Sequence, residues 1–425
     1  MSWSRIFKLI SSVSLMALTG CGGGDDEAEQ GVGANLGRTL YASWGASAQS
    51  NREVLPFPGA PLPNPPQLSN QTVRQIVHLS LGGEAVRVHI SNLFGSAPLN
   101  IAAASVARSS GEAAIETASL TPLTFGGAAR ATVAPGAELW SDLAPLATEA
   151  ESDLAISFYV AGTASVDTTH SLGIETTFVS AGNQVSAAVL PPEAPAPMAP
   201  RQSYYWLTGV DVARTQPAQV VVTFGDSITD GLASTLGENR RYPNVLARRL
   251  NAGGERFGVV NQGISGNRVL NDVVGPAARS RFERDALGAS GVAAVIVLIG
   301  INDLGFAGFV PEQEASVEQL TAGLAELFAQ AKGRNLRTYA ATLLPLKGTS
   351  APYYSELTEQ KRQAVNAWIR SQSAVDDVID FDQAMGDPAD PLAMRPDYDS
   401  GDHLHPQDAG YEAMANAIDL ALFDD

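Results

Sequence analysis

The chain has 425 residues, 45 acidic against 27 basic side chains and a formal net charge of −18. A surface of that sign favours solubility and argues against nucleic acid or anionic lipid as the natural partner. The length exceeds one ordinary core and predicts two domains, each large enough to fold without staples. The single cysteine excludes an intramolecular disulfide.

Residues 1–20 read as an export signal. Arg5 and Lys8 precede an apolar run over 9–18, and Leu18-Thr19-Gly20-Cys21 follows directly. The run is too short to span a bilayer. Its ending resembles a bacterial lipoprotein signal, although an ordinary signal peptide with an incidental cysteine also fits. The resemblance implies lipid attachment at Cys21 and anchoring in the cell envelope. Gly22, in place of the Asp associated with inner-membrane retention, favours the outer membrane. Residues 21–37, with Asp25, Asp26, Glu27 and Glu29, are expected to form a flexible, solvated tether.

Residues 38–214 read as an all-β domain. Val86, Val88 and Ile90 alternate with polar neighbours, as do Leu154, Ile156, Phe158 and Val160. Period-two patterns of this kind predict antiparallel strands with one buried face. Weaker strands are expected over 73–81, 99–106, 130–133 and 175–179. Gly82-Gly83 reads as a two-residue hairpin. The expected architecture is a β-sandwich, jelly-roll-like. The proline-rich segment 188–200 resembles a linker. Tyr204 to Val212 is nevertheless expected to close the sandwich, which puts the boundary near 213–218. His78, His89 and His170 lack ligand-like spacing and read as structural. Trp44, Trp140, Tyr204, Tyr205 and Trp206 are suited either to stacking on sugars or to a buried core.

Over 215–425 the pattern changes to alternating strand and helix. Strands are expected at Val220 to Phe224, 258–263, 293–299, 336–346 and 378–381. Helices are expected at 241–250, 312–332, 356–371 and 406–422. Repeated βα units imply a parallel sheet covered on both faces, with reactive groups at the strands' carboxyl ends.

Ser227 follows the first of these strands in Gly225-Asp226-Ser227, Gly266 the second and Asn302 the third. Ser227 also suits a helix N-cap, with Asp230 three residues on. Among five histidines, His405 is the natural base for Ser227, because Asp402 lies three residues before it and can orient the imidazole. Pro406 is expected to start the last helix and place His405 at a rigid junction. Asp402, His403 and His405 also have the density of a metal site, with no obvious fourth ligand.

Gly225-Asp-Ser227, Asn261-Gln-Gly-Ile-Ser-Gly266, Gly300-Ile-Asn302-Asp303 and Asp402-x-x-His405 resemble the four blocks of the SGNH, or GDSL-type, hydrolases, in order. Ile228 replaces the usual Leu. The resemblance covers about half the chain and implies a flavodoxin-like three-layer α/β fold with a parallel sheet. It also implies Ser227 as nucleophile, His405 as base and Asp402 as its orienting acid. The oxyanion hole would be the Ser227 and Gly266 amides with the Asn302 side chain, and no cofactor is needed.

The expected activity is therefore cleavage of carboxylic esters through an acyl-enzyme, on a small-molecule or glycan-borne substrate. The alternative is removal of acetyl groups from cell-wall or plant polysaccharides. A non-catalytic surface binding lipoprotein is the distant third. Oligomeric state leaves no mark in the sequence.

Overall fold

The computed structural model describes residues 37–53, 64–193 and 201–424. The export signal, Cys21, nearly all of the tether and residues 194–200 of the proline-rich segment lie outside them. The first part contributes β1 (Thr39–Gly45), β2 (Gln67–His78), β3 (Ala85–Ser91), β4 (Ala103–Gly111), β5 (Glu138–Trp140), β6 (Asp153–Ser165), β7 (Thr177–Ala181) and β8 (Leu207–Arg214). One antiparallel sheet has the order β1-β8-β3-β5, and a second begins β7-β2-β6-β4. The predicted alternation appears along β3, where Val86, Val88 and Ile90 are wholly buried, but not along β6, where Ala155 and Ser157 are buried as well as Leu154, Ile156 and Phe158. Closure by the strand after the proline-rich segment also holds, since β8 pairs with both β1 and β3.

Three expectations in this part are corrected. Gly82-Gly83 forms no hairpin, because β2 and β3 belong to different sheets. A tight hairpin needs left-handed backbone, and neither glycine has positive φ. The missing side chains serve close approach instead, since a Cβ on Gly82 would collide with Thr148 O and one on Gly83 with Val212. The single strand expected over 99–106 is two, Leu99–Ile101 pairing with Ala131–Val133 and β4 joining the second sheet. The strand expected from Tyr204 is broken at Trp206, where φ is +58°.

The second part contributes β9 (Gln219–Gly225), β10 (Phe257–Gly263), β11 (Val292–Leu298), β12 (Arg337–Ala341) and β13 (Asp377–Ile379). They form a wholly parallel sheet of order β10-β9-β11-β12-β13. In chain order this is 2-1-3-4-5, the flavodoxin-like doubly wound arrangement. The helices that matter for the site are α1 (Ser227–Asp230), α2 (Tyr242–Asn251), α3 (Ile301–Gly305), α4 (Val317–Gly333), α5 (Glu356–Arg370) and α6 (Asp408–Ala417).

β9 is buried on both faces, which is why it reads as a continuous apolar run rather than an alternating one. Val220, Val222 and Phe224 join Leu320 and Leu324 of α4 and Val365 of α5. Val221 faces the opposite layer, with Leu246 of α2 and Met414 of α6. The first cluster continues without a break into Val73, Val88 and Val210 of the antiparallel sheets. From Gly37 onward the described chain is accordingly one compact unit. β1 lies against the edge strand β10, and a Cβ on Gly258 would collide with Ala42 O. The β part thus packs on the face of β10, and Ser80 Oγ accepts the Val259 N–H of that strand at 2.8 Å.

Two helix boundaries also differ from expectation. α4 starts at Val317 rather than 312, because Ser316 and Gln319 form a reciprocal capping box after a 3-10 turn at Pro311–Gln313. The last helix starts at Asp408, not at Pro406, which instead forms an isolated bridge with Asp399. Among the described residues no helix is long and apolar enough to cross a membrane.

Candidate active site

β9 ends at Gly225, where a Cβ would collide with Thr229 and with Leu298 O. Only glycine lets the chain turn so tightly from strand into helix. The next residue, Asp226, is the N-cap of α1, and its carboxylate accepts the Ile228 N–H at 3.1 Å. Ser227 therefore does not cap the helix, contrary to one sequence expectation, and its hydroxyl is left for another partner. That partner is His405, whose Nε2 lies 2.8 Å from Ser227 Oγ across 178 residues of chain. The opposite ring nitrogen, Nδ1, lies 2.6 Å from Asp402 Oδ2.

Asp402 Oδ1 also accepts the backbone N–H groups of Leu404 at 2.9 Å and His405 at 2.8 Å. Burial pushes the Asp402 carboxyl up, but these hydrogen bonds and the adjacent imidazole outweigh it and hold the group well below the usual carboxylate range. His405 is fixed by the Asp399–Pro406 bridge and by the Ser400 N–H, which donates to its carbonyl at 3.0 Å. His403 turns elsewhere, with Nδ1 2.6 Å from Asp399 Oδ2. The dense Asp-x-x-His segment thus splits into two separate pairs. Among the described residues no group of three or more His, Cys, Asp or Glu is placed to hold a metal ion.

Gly266 follows β10 with φ +84°, a left-handed conformation suited to glycine. Among the described residues its N–H has no hydrogen-bond acceptor. Asn302, on α3 after β11, is 3% exposed. Its Nδ2 donates to Asn267 O at 3.0 Å, and its Oδ1 accepts the Tyr353 hydroxyl at 3.0 Å. The next residue, Asp303, accepts Val269 N–H at 2.7 Å and Leu270 N–H at 3.0 Å, tying the loop after Gly266 to α3. Burial pushes Asp303 up to about 6 and Asp226 up to about 7.

Sequence reasoning missed Arg281, which is wholly buried. Its guanidinium donates to Gly225 O at 2.8 Å, Gln262 O at 2.9 Å and Asn267 Oδ1 at 3.0 Å, and lies 4.0 Å over the Phe224 ring. It joins the ends of β9 and β10 to the loop after Gly266. Tyr353, on Asn302, was also missed. Of the aromatic residues open to two readings, Tyr204, Tyr205 and Trp206 are core. Trp44 and Trp140 line a cavity of about 250 Å³ against Val260 and Gln262.

A hydroxyl bonded to an imidazole whose other nitrogen meets a carboxylate is the geometry that activates a serine for attack on an acyl carbon. Residues 223–413 match the family described as GDSL-like Lipase/Acylhydrolase. The match covers a little under half of the chain, and hydrolase or esterase activity is typical of that family. Similar solved structures include a GDSL-like lipase from Bacteroides thetaiotaomicron, with 23% identity, 48% of this chain and 88% of that one covered, and a TM-score of 0.37. The M. smegmatis aryl esterase has 19% identity, coverage of 47% and 96%, and a TM-score of 0.38. The acetylxylan esterase Axe2 from Geobacillus stearothermophilus has 23% identity, coverage of 47% and 92%, and a TM-score of 0.37. No curated protein matches the chain.

Proposed function

We propose that the protein is a serine esterase that cleaves carboxylic esters through an acyl-enzyme, with Ser227 as nucleophile, His405 as base and Asp402 as orienting acid. The observation that carries this reading is the continuous contact from Ser227 Oγ to His405 Nε2 at 2.8 Å and from His405 Nδ1 to Asp402 Oδ2 at 2.6 Å.

As Ser227 Oγ bonds to the ester carbon, its proton passes to His405 Nε2. The carbonyl oxygen becomes an oxyanion, for which the Ser227 and Gly266 N–H groups and the Asn302 amide are the candidate donors. Collapse breaks the bond to the alcohol oxygen, which leaves with the proton from His405. Water then gives a proton to His405 as it attacks the acyl carbon, and the second collapse frees the acid and restores Ser227. Asp402 stabilises the imidazolium in both halves. No step requires a cofactor.

The test is turnover of 4-nitrophenyl esters of increasing acyl length and of acetylated xylan, by wild type and Ser227→Ala. Loss of about 10³-fold or more in kcat is expected in the variant; full retention of activity would remove Ser227 from the mechanism. The preferred acyl length and the response to xylan separate a general acylhydrolase from a glycan acetylesterase.

The Leu18-Thr-Gly-Cys21 ending supports a further part of the same proposal, lipid attachment at Cys21 and anchoring in the cell envelope. Cys21→Ser should move the protein from membrane to soluble fractions, and continued membrane association would contradict the lipid.

A further inference from the structure

The β part reaches the active-site loops on both sides of Gly266, at a buried contact on one side and a half-buried one on the other. His170, in the short strand Thr168–His170, is 3% exposed. Its Nδ1 lies 3.0 Å from Ser47 O, and its Nε2 lies 3.0 Å from Asp230 Oδ1. Asp230 is the last residue of α1, the helix that Ser227 begins. Its other oxygen, Oδ2, accepts both the Ser265 N–H at 2.9 Å and the Ser265 hydroxyl at 2.7 Å.

A carbonyl only accepts, so His170 Nδ1 donates to Ser47 O, and a single proton is shared between Nε2 and Asp230 Oδ1. His170 is therefore hydrogen-bonded at both ring nitrogens, with Asp230 as its buried acidic partner. Burial opposes its charge, but Asp230 and the Ser47 carbonyl prevail and raise its pKa.

On the other side of Gly266, Glu53 Oε2 accepts the Gly275 N–H at 2.9 Å. The preceding Val273 and Val274 have φ of +78° and +62°. Such values are strained for β-branched residues and persist only where surroundings enforce them. Val274 closes over Gly266, where an added Cβ would lie 2.7 Å from its Cγ1. The loop bearing Gly266 is thus held at Ser265 through His170 and at Gly275 through Glu53.

We infer that His170 is a positioning residue for ester cleavage, acting through Asp230 and Ser265 to aim the Gly266 N–H at the developing oxyanion. The inference rests on the esterase reading above. Breaking a buried pair disturbs whatever the surviving partner holds. Without His170, Asp230 is free to move, and with it the amide plane that precedes Gly266. Preorganised donors lose their value when they must reorient during the reaction.

The test uses the full chain with 4-nitrophenyl acetate as substrate and phenylboronic acid as a tetrahedral-adduct probe. His170→Leu, with folding checked by thermal melting, should lower kcat about tenfold or more. KM should stay within about twofold, and boronate binding should weaken in step with kcat. His170→Gln keeps one donor, should lie between Leu and wild type, and carries the same readout if the Leu variant does not fold. Wild-type kcat in a folded His170 variant, or a loss of kcat without weaker boronate binding, would overturn the inference. Ser227→Ala is assayed alongside: if it is inactive while His170 variants are normal, only the positioning role falls. If Ser227→Ala is fully active, the esterase reading falls first and the inference with it.

Discussion

The Asp226 carboxylate accepts the Ile228 N–H at 3.1 Å and caps the helix that its neighbour Ser227 begins. Two adjacent residues, both good helix caps, thereby take different tasks. Asp226 satisfies the backbone, and the Ser227 hydroxyl is left to meet His405 at 2.8 Å. Asp226 is 1% exposed, and its burial pushes the carboxyl up to about 7.

That burial gives a prediction about stability and pH. A carboxyl whose pKa is higher folded than unfolded, where it is about 3.9, binds its proton more tightly in the native state. Its contribution is complete below the unfolded pKa and is lost as pH rises through the folded value near 7. Asp226→Asn keeps the oxygen that accepts from Ile228 and removes the titration. Urea unfolding between about pH 4 and 7 should show a smaller fall in stability with rising pH in the variant than in wild type. Equal slopes would mean that Asp226 ionises at little cost. Asp402 is shifted the opposite way, so its linkage falls below this window.

Asp402→Asn should lower kcat by about 10²–10⁴-fold in protein that still folds, since an amide cannot orient and stabilise the imidazolium as a carboxylate does. Asp399→Asn should stay within a few-fold of wild type, because that carboxylate meets the side chain of His403 rather than His405. Steady-state kinetics on one acetyl ester distinguishes the two. A normal rate for Asp402→Asn would move the orienting role elsewhere.

Asn302→Ala should reduce kcat by about 10²–10³-fold at nearly constant KM, the pattern for loss of a donor used in the transition state. Tyr353→Phe should have a smaller effect, because it frees one end of the Asn302 amide without removing the donor. A KM effect in place of a kcat effect would assign Asn302 to ground-state binding.

Gly266→Ala should both destabilise and slow the protein. The left-handed φ of +84° would cost an alanine energy, and its Cβ would lie 2.7 Å from Val274 Cγ1. Strain of this kind is worth about 1–3 kcal/mol, readable as a lower melting temperature. Movement of Val274 to relieve it would also displace the Gly266 N–H. Unchanged melting and unchanged kcat would show that the loop relaxes freely.

Much of this site is written in local sequence. β9 is legible because a strand covered on both faces is apolar at every position, and Ser227 follows it at the carboxyl end, where doubly wound sheets gather their reactive groups. His405 is legible because histidine is scarce and Asp402 sits at the right offset. The capping assignment between Asp226 and Ser227 was less accessible, since either side chain suits that position and only backbone geometry decides. Ser316 and Gln319 did carry the signal for the true start of α4. Gly82-Gly83 misled because a glycine pair serves tight turns and close packing equally well. Arg281 has no local signature at all, as its partners are oxygens at Gly225, Gln262 and Asn267 brought together only by the fold. The same holds for His170, which reads as an ordinary strand histidine until Asp230 is placed against it.

The most direct test of the central claim is covalent labelling of the intact protein with a fluorophosphonate, followed by peptide mass spectrometry. An activated serine should take up one label per chain, on the peptide containing Ser227, and His405→Ala should slow the labelling sharply. Absence of label from Ser227 in the folded, ester-cleaving protein, or equal labelling in Ser227→Ala, would contradict the account.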